Sequence, residues 1–238
     1  MIRANVKKTY RLDRHHVVTA VKRADMVVRE QTFTVITGPS GSGKSTLLAV
    51  LGLLEEPTEG KVLLNGNEVQ TEKERARVRL HTFGFVHQYP RLHPTLSALD
   101  NVLLPLALMK NVTTEEVERG RALLEEVGLK ERIDHLPFQM SGGEQRRVGL
   151  ARGLMLDPAV LFADEPTASL DPENSLLIFS HLHKWFLRGK TVVVATHDPI
   201  GVRFATDVYD MREGILTKKS IRKSDPDDDE CKDCASAY

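Results

Sequence analysis

Two glycine-rich turns in this sequence have the residue types and spacing that bind phosphate. The first, Gly38-Pro-Ser-Gly-Ser-Gly-Lys-Ser45, matches the pattern G-x-x-x-x-G-K-[ST] at every position. Its glycines allow the backbone to curl so that amide N–H groups point at phosphate oxygens. Lys44 supplies a positive charge for the β- and γ-phosphates, and the Ser45 hydroxyl can ligate Mg²⁺. Together with Thr46, a further donor at the same helix start, the candidate phosphate-binding residues are Gly38, Pro39, Ser40, Gly41, Ser42, Gly43, Lys44 and Ser45.

The second turn, Ser141-Gly-Gly143, lies about a hundred residues further along the chain and is followed by Glu144. It directly precedes an amphipathic helix, whose N-terminal amides and positive dipole end can hold an anion. One chain with two such helix starts predicts a nucleotide held between two bodies.

Two carboxylates follow the apolar run Ala159-Val-Leu-Phe-Ala163. Asp164 is placed like an aspartate that holds Mg²⁺ beside a phosphate loop, and Glu165 like a general base that polarises the attacking water. Taken alone, a strand that ends in Asp-Glu would more often carry a surface acidic pair. The phosphate loop elsewhere in the chain favours the catalytic interpretation.

Two further polar residues follow apolar runs. His197 comes shortly after Thr191–Ala195, at the end of a strand, where ligands bind in open α/β sheets. Gln88 follows Phe83-Gly-Phe-Val-His87, and its amide can reach Mg²⁺ or the attacking water. By contrast, the two histidines of His181-Leu-His183 would diverge on a helix, so a zinc site is not expected there.

The elements that must position these residues predict an α/β core. Phe33–Thr37 is a β-branched strand that leads into the phosphate loop, and residues 44–54 have the apolar spacing of a helix. The apolar runs that end at Ala163 and Ala195 are typical of parallel strands buried on both faces. A crossover helix is expected between them, over residues 173–188.

Local signals add a hairpin and a helical insertion to this core. Asn65-Gly66 suits a two-residue type I′ turn and predicts a β-hairpin over residues 62–69. Residues 72–156 have a predominantly helical pattern. Within them, Thr113-Thr-Glu-Glu116 has the spacing of a capping box, and Gly128 marks the end of the helix that follows.

Composition and charge exclude several classes of protein. The 238 residues are 41% hydrophobic, which is typical of a globular domain with a proper core, and 33 basic residues balance 33 acidic ones. This lack of a basic surplus argues against nucleic-acid binding. The most apolar stretch, residues 98–109, is shorter than the roughly 18 residues of a membrane span. The first residues lack the apolar core of a secretory signal peptide, so the chain is expected in the cytosol.

The last residues of the sequence, 217–238, are polar and charged, which predicts a flexible C-terminal tail. Both cysteines lie there, in Cys231-Lys-Asp-Cys234, so no disulfide scaffold is predicted. A C-x-x-C pair can be half of a zinc site or a redox pair. Because no second pair of ligands is evident, an exposed tail is the favoured interpretation.

Over roughly residues 1–216, these motifs and their order resemble the ATP-binding cassette (ABC) ATPases. The resemblance implies an α/β fold of the P-loop NTPase class, an ABC-type nucleotide-binding domain with a RecA-like core. The core would comprise about residues 1–87 and 157–216, with a small antiparallel β subdomain. An inserted α-helical subdomain would occupy about residues 88–156.

The same resemblance implies a role for each motif. Residues 38–45 would be the Walker A loop, Asp164 the Walker B aspartate, Glu165 the catalytic base and His197 the switch histidine. Gln88 would sense the γ-phosphate, with Ser45 and Asp164 as fellow Mg²⁺ ligands, and would contact a membrane partner.

Three further motifs acquire roles only through the resemblance. Ser141, Gly142, Gly143 and Glu144 match the signature motif, which closes the phosphate loop of a second subunit. Ser169-Leu-Asp171 would be the D-loop, and Tyr10 falls where the family stacks an aromatic ring on adenine. One departure is Arg29-Glu30-Gln31, which stands where Gly-Glu is common, so the turn there is expected to differ.

Within the family, the motifs resemble the LolD/MacB/FtsE group. This implies an ATPase motor subunit that uses ATP and Mg²⁺, acts as a homodimer or heterodimer of ATPase subunits, and drives integral membrane permease-type subunits on separate chains. It would work in lipoprotein release, efflux or mechanotransmission, at the cytoplasmic side of the inner membrane, with no nucleic acid expected. The alternatives are a soluble ABC ATPase acting on nucleic acid or the ribosome, and a nucleotide-dependent binding module that no longer hydrolyses ATP.

Overall fold

The computed structural model describes residues 1–11, 13 and 17–219. Ten strands within these residues form one sheet. The strands, numbered along the chain, are β1 Ile2–Arg11, β2 Val17–Val28, β3 Phe33–Thr37, β4 Glu59–Leu64, β5 Asn67–Glu68, β6 Phe83–Val86, β7 Val160–Asp164, β8 Thr191–Ala195, β9 Asp207–Arg212 and β10 Ile215–Lys219. Their spatial order is β5-β4-β1-β2-β10-β9-β3-β8-β7-β6.

Seven helices and two short 3₁₀ turns connect the described strands. The helices are α1 Lys44–Leu51, α2 Glu72–Thr82, α3 Ala98–Ala107, α4 Thr114–Glu126, α5 Gly142–Leu154, α6 Pro172–Leu187 and α7 Ile200–Arg203, and the 3₁₀ turns are Lys130–Arg132 and Pro137–Gln139. Among the described residues, no helix combines the length and the apolar character that a membrane crossing needs.

The centre of the sheet is parallel, as the continuous apolar runs predict. Strand β3 pairs with β8, β8 with β7, and β7 with β6, all in parallel. In β8, Val192 and Val194 face the core beneath α5 and α6, whereas Val193 and Ala195 face the core around α1. Burial on both faces explains why these strands are apolar throughout and do not alternate with polar residues.

An antiparallel layer of β1, β2, β4 and β5 lies at one side of the parallel strands. The predicted hairpin is confirmed as β4 and β5, and both Asn65 (φ 51°) and Gly66 (φ 85°) have the positive φ that a type I′ turn requires. A parallel pairing of Ile215 with Arg23 joins this layer to the rest of the sheet.

Helices α3, α4 and α5 pack together within the region that was expected to be helical. Thr113 forms the predicted capping box with Glu116, and Gly128 (φ 73°) follows the end of α4. The helical pattern over residues 72–156 is interrupted by one strand, β6, which belongs to the parallel sheet. Helix α5 also packs on β6, so it links the helical region to the sheet.

Strand β10 includes residues 217–219, which the sequence had assigned to the C-terminal tail. Strand β10 pairs with β9 through Lys219, and Lys218 bonds the buried Asp207 (2.9 Å) opposite Arg29 (2.8 Å). Burial raises the pKa of Asp207, but its bonds to Lys218 and Arg29 outweigh burial and the net pKa is lowered. Cys231 and Cys234 lie outside the described residues.

His181 is a buried histidine of α6, and neither of its ring nitrogens has a hydrogen-bond partner among the described residues. Burial, aided by the charge of Lys184, lowers its pKa to about 4. The folded state therefore favours the neutral ring at pH values where the unfolded chain is protonated.

This difference predicts a loss of stability in mild acid. Because the folded pKa lies below the unfolded value of roughly 6.5, the free energy of unfolding should fall as the pH drops from about 6.5 to 4, by about 3 kcal/mol in total. His181→Leu should remove most of that slope, measured by urea unfolding at pH 7.5 and 5. His81→Gln, at an exposed position on α2, is the control, and an equal flattening in both variants would contradict this assignment.

Candidate functional site

The phosphate loop, residues 38–45, curls between β3 and α1 and lies tightly against other backbone. Gly38 (φ 146°) and Gly43 (φ 103°) have positive φ, and a Cβ there would collide with the carbonyl oxygens of Met211 and Ala20, respectively. These two positions therefore require glycine for both conformation and space.

The β9–β10 turn is hydrogen-bonded to this loop. The Gly214 N–H donates to the Ser42 carbonyl (3.0 Å), and the Gly214 carbonyl accepts from the N–H groups of Lys22 (2.7 Å) and Arg23 (3.1 Å). The loop is thereby held between the parallel strands and the antiparallel layer. Nothing in the local sequence around Gly214 had indicated this contact.

Lys44 and Ser45 connect the phosphate loop to the end of β7. The buried Lys44 Nζ donates to the carbonyls of Gly38 (2.8 Å) and Pro39 (3.0 Å) and lies 3.2 Å from Glu165 Oε1. The Ser45 hydroxyl donates to Asp164 Oδ1 (2.9 Å). Residues more than a hundred positions apart are thus brought together as the motifs had indicated.

Glu165 and His197 form a hydrogen-bonded pair at the ends of adjacent strands. Glu165 Oε2 lies 2.8 Å from His197 Nδ1, and it also accepts from the His197 backbone N–H (3.3 Å). The Glu165 side chain is 10% exposed and that of His197 is 60% exposed. The backbone of Glu165 has a φ of 43°, which is unusual for glutamate. Its N–H donates to the Ala195 carbonyl (2.8 Å), and this bond helps to fix the position of the residue.

The electrostatics at the end of β7 suit a divalent cation. Burial raises the pKa of Asp164, the bond from Ser45 opposes that shift, and the charge of Glu165 adds to it. A hydroxyl and a carboxylate are hard oxygen ligands of the kind Mg²⁺ takes. Within the described residues no cluster of three or more His, Cys, Asp or Glu side chains is placed to hold a metal. Mg²⁺ needs only one or two protein ligands when substrate phosphates and waters complete its coordination shell.

These residues face a cleft of about 270 Å³. Its lining comprises Ala20, Ser40, Gly41, Gly43, Lys44, Ser45, Thr46, Gln88, Glu165 and His197. Gln88 and Glu165 therefore line the same cleft, and the contact of the Gln88 amide with Mg²⁺ or the attacking water stays a prediction. Ala20, on β2, is a lining residue that the sequence gave no reason to select.

Tyr10 lies near the cleft without being among its described lining residues. Its hydroxyl donates to Glu55 Oε2 (2.6 Å), and the Lys8 ammonium lies 5.1 Å from the centroid of the ring. Burial and the bond to Glu55 raise the pKa of Tyr10, while a bond with Thr46 opposes the shift. Its stacking on a base stays a prediction.

The segment after Gln88 is fastened to α5. The Arg152 guanidinium donates to the carbonyls of Pro90 and Arg91, the latter at 3.3 Å. Gly149 of the same helix contacts Pro90, where a Cβ would be 2.8 Å from the proline ring. The end of the cleft that carries Gln88 is thus attached to the helix that begins at Ser141.

The Ser-Gly-Gly turn, Ser141-Gly-Gly143, caps that helix at its other end and is absent from the described lining of the cleft. The Ser141 hydroxyl accepts from the Glu144 N–H (3.2 Å), and Glu144 Oε2 accepts from the Ser141 N–H (2.7 Å). Around Gly142, no described atom lies within 4 Å of the place that a Cβ would take. This turn is therefore open to a molecule that approaches from outside the chain.

Asp171 is not among the described lining residues of the cleft, and its neighbours Leu170 and Asn174 lie close to Gly143 of the Ser-Gly-Gly turn. Its carboxylate caps α6 by accepting from the Asn174 backbone N–H (2.9 Å) and side-chain amide (2.7 Å), and these bonds lower its pKa. Arg147 of α5 donates to Asn174 Oδ1 (3.3 Å). Most of the predicted site residues therefore form two groups, one in or next to the cleft and one at the starts of α5 and α6.

A partly buried hydrogen bond, which the sequence had not indicated, joins the loops that carry Glu165 and His197. The Thr167 hydroxyl, on a residue that is 4% exposed, donates to Asp198 Oδ2 (2.9 Å). The other Asp198 oxygen accepts from the Ile200 N–H (2.9 Å). Thr167 follows Glu165 by two residues and Asp198 follows His197 directly, so the bond sets the relative position of the two loops.

Comparison with known proteins finds a family model and relatives that are all described as ABC transporter or ATP-binding proteins. The chain matches the family model described as ABC transporter over residues 21–168. It is 41% identical over 204 residues to the lipoprotein-releasing system ATP-binding protein LolD of Aquifex aeolicus, covering 85% of this chain and 91% of that protein. It is also 41% identical over 217 residues to the macrolide export ATP-binding/permease protein MacB of Chlorobium phaeobacteroides, covering 89% of this chain and 32% of that protein.

A solved structure has the same fold. The dimeric ATP-binding cassette MJ0796, in a post-hydrolysis state bound to ADP and Pi, aligns with a TM-score of 0.86 at 36% identity. The alignment covers 94% of this chain and 100% of that chain.

The Thr167–Asp198 bond predicts a measurable effect on stability. Thr167→Val keeps the shape of the side chain but removes the donor to a carboxylate, so the free energy of unfolding should fall by about 1–2 kcal/mol. Thr167→Ser keeps a hydroxyl and should lose less. Urea unfolding of the two variants at pH 7.5 makes the comparison, and equal stabilities would show that the hydrogen bond does not contribute.

Proposed function

Since the chain belongs to the ABC transporter family of ATPases, we propose that it is the motor subunit of a membrane complex, in which two copies close around ATP and hydrolysis reopens them. The observation that carries the proposal is the division of the site. The cleft is lined by Lys44, Ser45, Glu165 and His197, whereas the Ser-Gly-Gly turn lies outside its described lining.

A second copy of the chain would bring the Ser-Gly-Gly turn and the cleft together in one site. An ATP molecule bound in the cleft of one subunit would be covered by the open Ser-Gly-Gly turn of the other, whose helix start offers amides to the γ-phosphate. By symmetry, the two copies would form two such sites. The dimeric arrangement of MJ0796 supports this assembly.

The hydrolytic step follows from the contacts around Glu165. Lys44 must exchange the carbonyls of Gly38 and Pro39 and the Glu165 carboxylate for phosphate oxygens of ATP. Glu165, held by His197, is then free to accept a proton from the water that attacks the γ-phosphorus, and the products are ADP and phosphate. Gln88 faces the same space and would orient that water.

The residues present also fit a magnesium ion. Ser45, Asp164 and Gln88 would hold it, and a bound Mg²⁺ would neutralise charge on the β- and γ-phosphates. The raised pKa of Asp164, caused mainly by burial, fits a carboxylate that gains a cationic partner when substrate arrives.

We further propose that separate membrane-spanning permease subunits receive the motion, at the cytoplasmic side of the inner membrane. LolD is named as the ATP-binding protein of a lipoprotein-releasing system, and this chain covers 91% of it. MacB is named as a combined ATP-binding/permease protein, and the chain covers 32% of it. These names favour the transporter interpretation over an ATPase that acts on nucleic acid or ribosomes.

Affinity purification tests this assignment. Tagged Glu165→Gln protein, held closed with ATP and Mg²⁺, is extracted from native membranes in mild detergent, and its companions are identified by mass spectrometry. An integral membrane protein should be recovered in an ATP-dependent manner. Recovery of ribosomes or nucleic acid alone would refute the membrane role.

Glu165→Gln itself should separate binding from hydrolysis. The amide keeps the size of the side chain and can still bond His197, but it cannot take a proton, so turnover should fall by about a hundredfold or more. ATP binding should persist, because Lys44 and Ser45 are intact. Phosphate release and equilibrium ATP binding are the two measurements, and a variant with normal turnover would exclude Glu165 as the base.

Gly142→Ala should affect activity without affecting folding. A Cβ has open space in the single chain, and alanine in a helix is favoured over glycine, so stability should be unchanged or higher by up to about 1 kcal/mol. In the dimer, the methyl group would lie against the partner's nucleotide and should reduce turnover by about a hundredfold.

Mixing experiments give the control for this variant. Lys44→Ala damages the cleft and leaves the Ser-Gly-Gly turn intact, so an equal mixture with Gly142→Ala contains dimers with one undamaged site. The mixture should hydrolyse ATP faster than either variant alone. Failure to recover any activity would argue against sites shared between two copies.

A further inference from the structure

A negative charge lies next to the Ser-Gly-Gly turn, where the proposed function places the terminal phosphate of ATP. Glu144 is the third residue of α5, and its Oε2 accepts the Ser141 N–H (2.7 Å) at the start of that helix. A carboxylate in this position stabilises the helix itself. It also repels any phosphate that approaches the same amides.

Arg132 offsets this charge. Its Nε donates to Glu144 Oε1 (2.9 Å), and its Nη1 lies 3.4 Å from His135 Nε2, which holds the guanidinium in place. Arg132 belongs to the 3₁₀ turn Lys130–Arg132 and not to α5, so the partner charge comes from a separate element. The bond from Arg132, together with the Ser141 N–H, lowers the pKa of Glu144 to about 2, and the carboxylate is ionised throughout the physiological range.

We propose that Arg132 is a charge-compensating residue for the nucleotide of the partner subunit: it neutralises Glu144 so that the Ser-Gly-Gly turn can accept the terminal phosphate of a nucleoside triphosphate. This inference rests on the proposed function, because it takes that turn to be one half of a shared ATP site. It adds a residue outside all the motifs that the sequence had indicated.

The geometry separates this role from that of a structural cap. Glu144 Oε2 and the Ser141 N–H bond each other without Arg132, and the Ser141 hydroxyl accepts from the Glu144 N–H (3.2 Å) independently. Removal of the guanidinium therefore leaves the capping box in place. What changes is the net charge beside the amides that receive the phosphate.

The experiment measures ATP-dependent dimerisation in a Glu165→Gln background, by light scattering over a range of ATP concentrations. Arg132→Ala should raise the ATP concentration for half-maximal dimerisation about tenfold, because an uncompensated charge then faces the phosphate. Arg132→Gln, which keeps hydrogen-bond donors but no charge, should have the same effect. ADP binding by the single subunit, which uses its own phosphate loop, should stay unchanged in both.

Two further variants isolate the charge. Lys130→Ala removes the same positive charge from the same 3₁₀ turn, but Lys130 pairs with Glu125 (2.7 Å), so dimerisation should be unaffected. The double variant Arg132→Ala, Glu144→Gln removes both charges and should dimerise at a lower ATP concentration than Arg132→Ala alone.

Each contrary outcome is informative. Normal dimerisation of Arg132→Ala would overturn the inference and leave the proposed function intact. A defect that persists in the double variant would also overturn it, because Arg132 would then act on something other than Glu144. A Glu165→Gln parent that stays monomeric with ATP would refute the proposed shared site, and the inference with it.

Discussion

The contact between Lys44 and Glu165 is the interaction around which the site is built. A buried ammonium group costs several kcal/mol in lost hydration, and here two loop carbonyls and one carboxylate compensate for that loss. The compensation works only if the start of α1 and the end of β7 stay at a fixed separation. The strand order β3-β8-β7 provides this separation, because α1 follows β3 and strand β8 lies between β3 and β7. Strand β8 also leads to His197, which bonds the other oxygen of Glu165.

Much of this arrangement could be predicted because its signals are local. The strand Phe33–Thr37 was predicted with its observed bounds, and so was Thr191–Ala195. Parallel strands end at a common edge, so the residues that follow them had to meet, and Asp164, Glu165 and His197 do. The run ending at Ala163 was placed one residue early, because Asp164 still pairs within the sheet, opposite Ala195.

The parts that could not be predicted depend on contacts between distant segments. Thr167 with Asp198, Arg132 with Glu144, and Gly214 with Ser42 are ordinary polar residues whose partners become apparent only after the elements pack. The turn before β3 is an intermediate case. This turn has Arg29-Glu30-Gln31 where Gly-Glu is common in the family, so its conformation was expected to differ. In the structure, Gln31 has a φ of 52°, a backbone conformation that glycine accepts more readily.

Helix α5 has a property that follows from its two attachments. It begins at the Ser-Gly-Gly turn and, about 20 Å away, its last turn is bonded through Arg152 to the segment behind Gln88. A hydrogen-bonded helix of this length is stiff, so a displacement imposed at one end reappears at the other instead of being absorbed between them. In the proposed dimer, the helix would therefore connect the partner subunit's nucleotide, at its start, with the Gln88 end of the cleft in its own subunit.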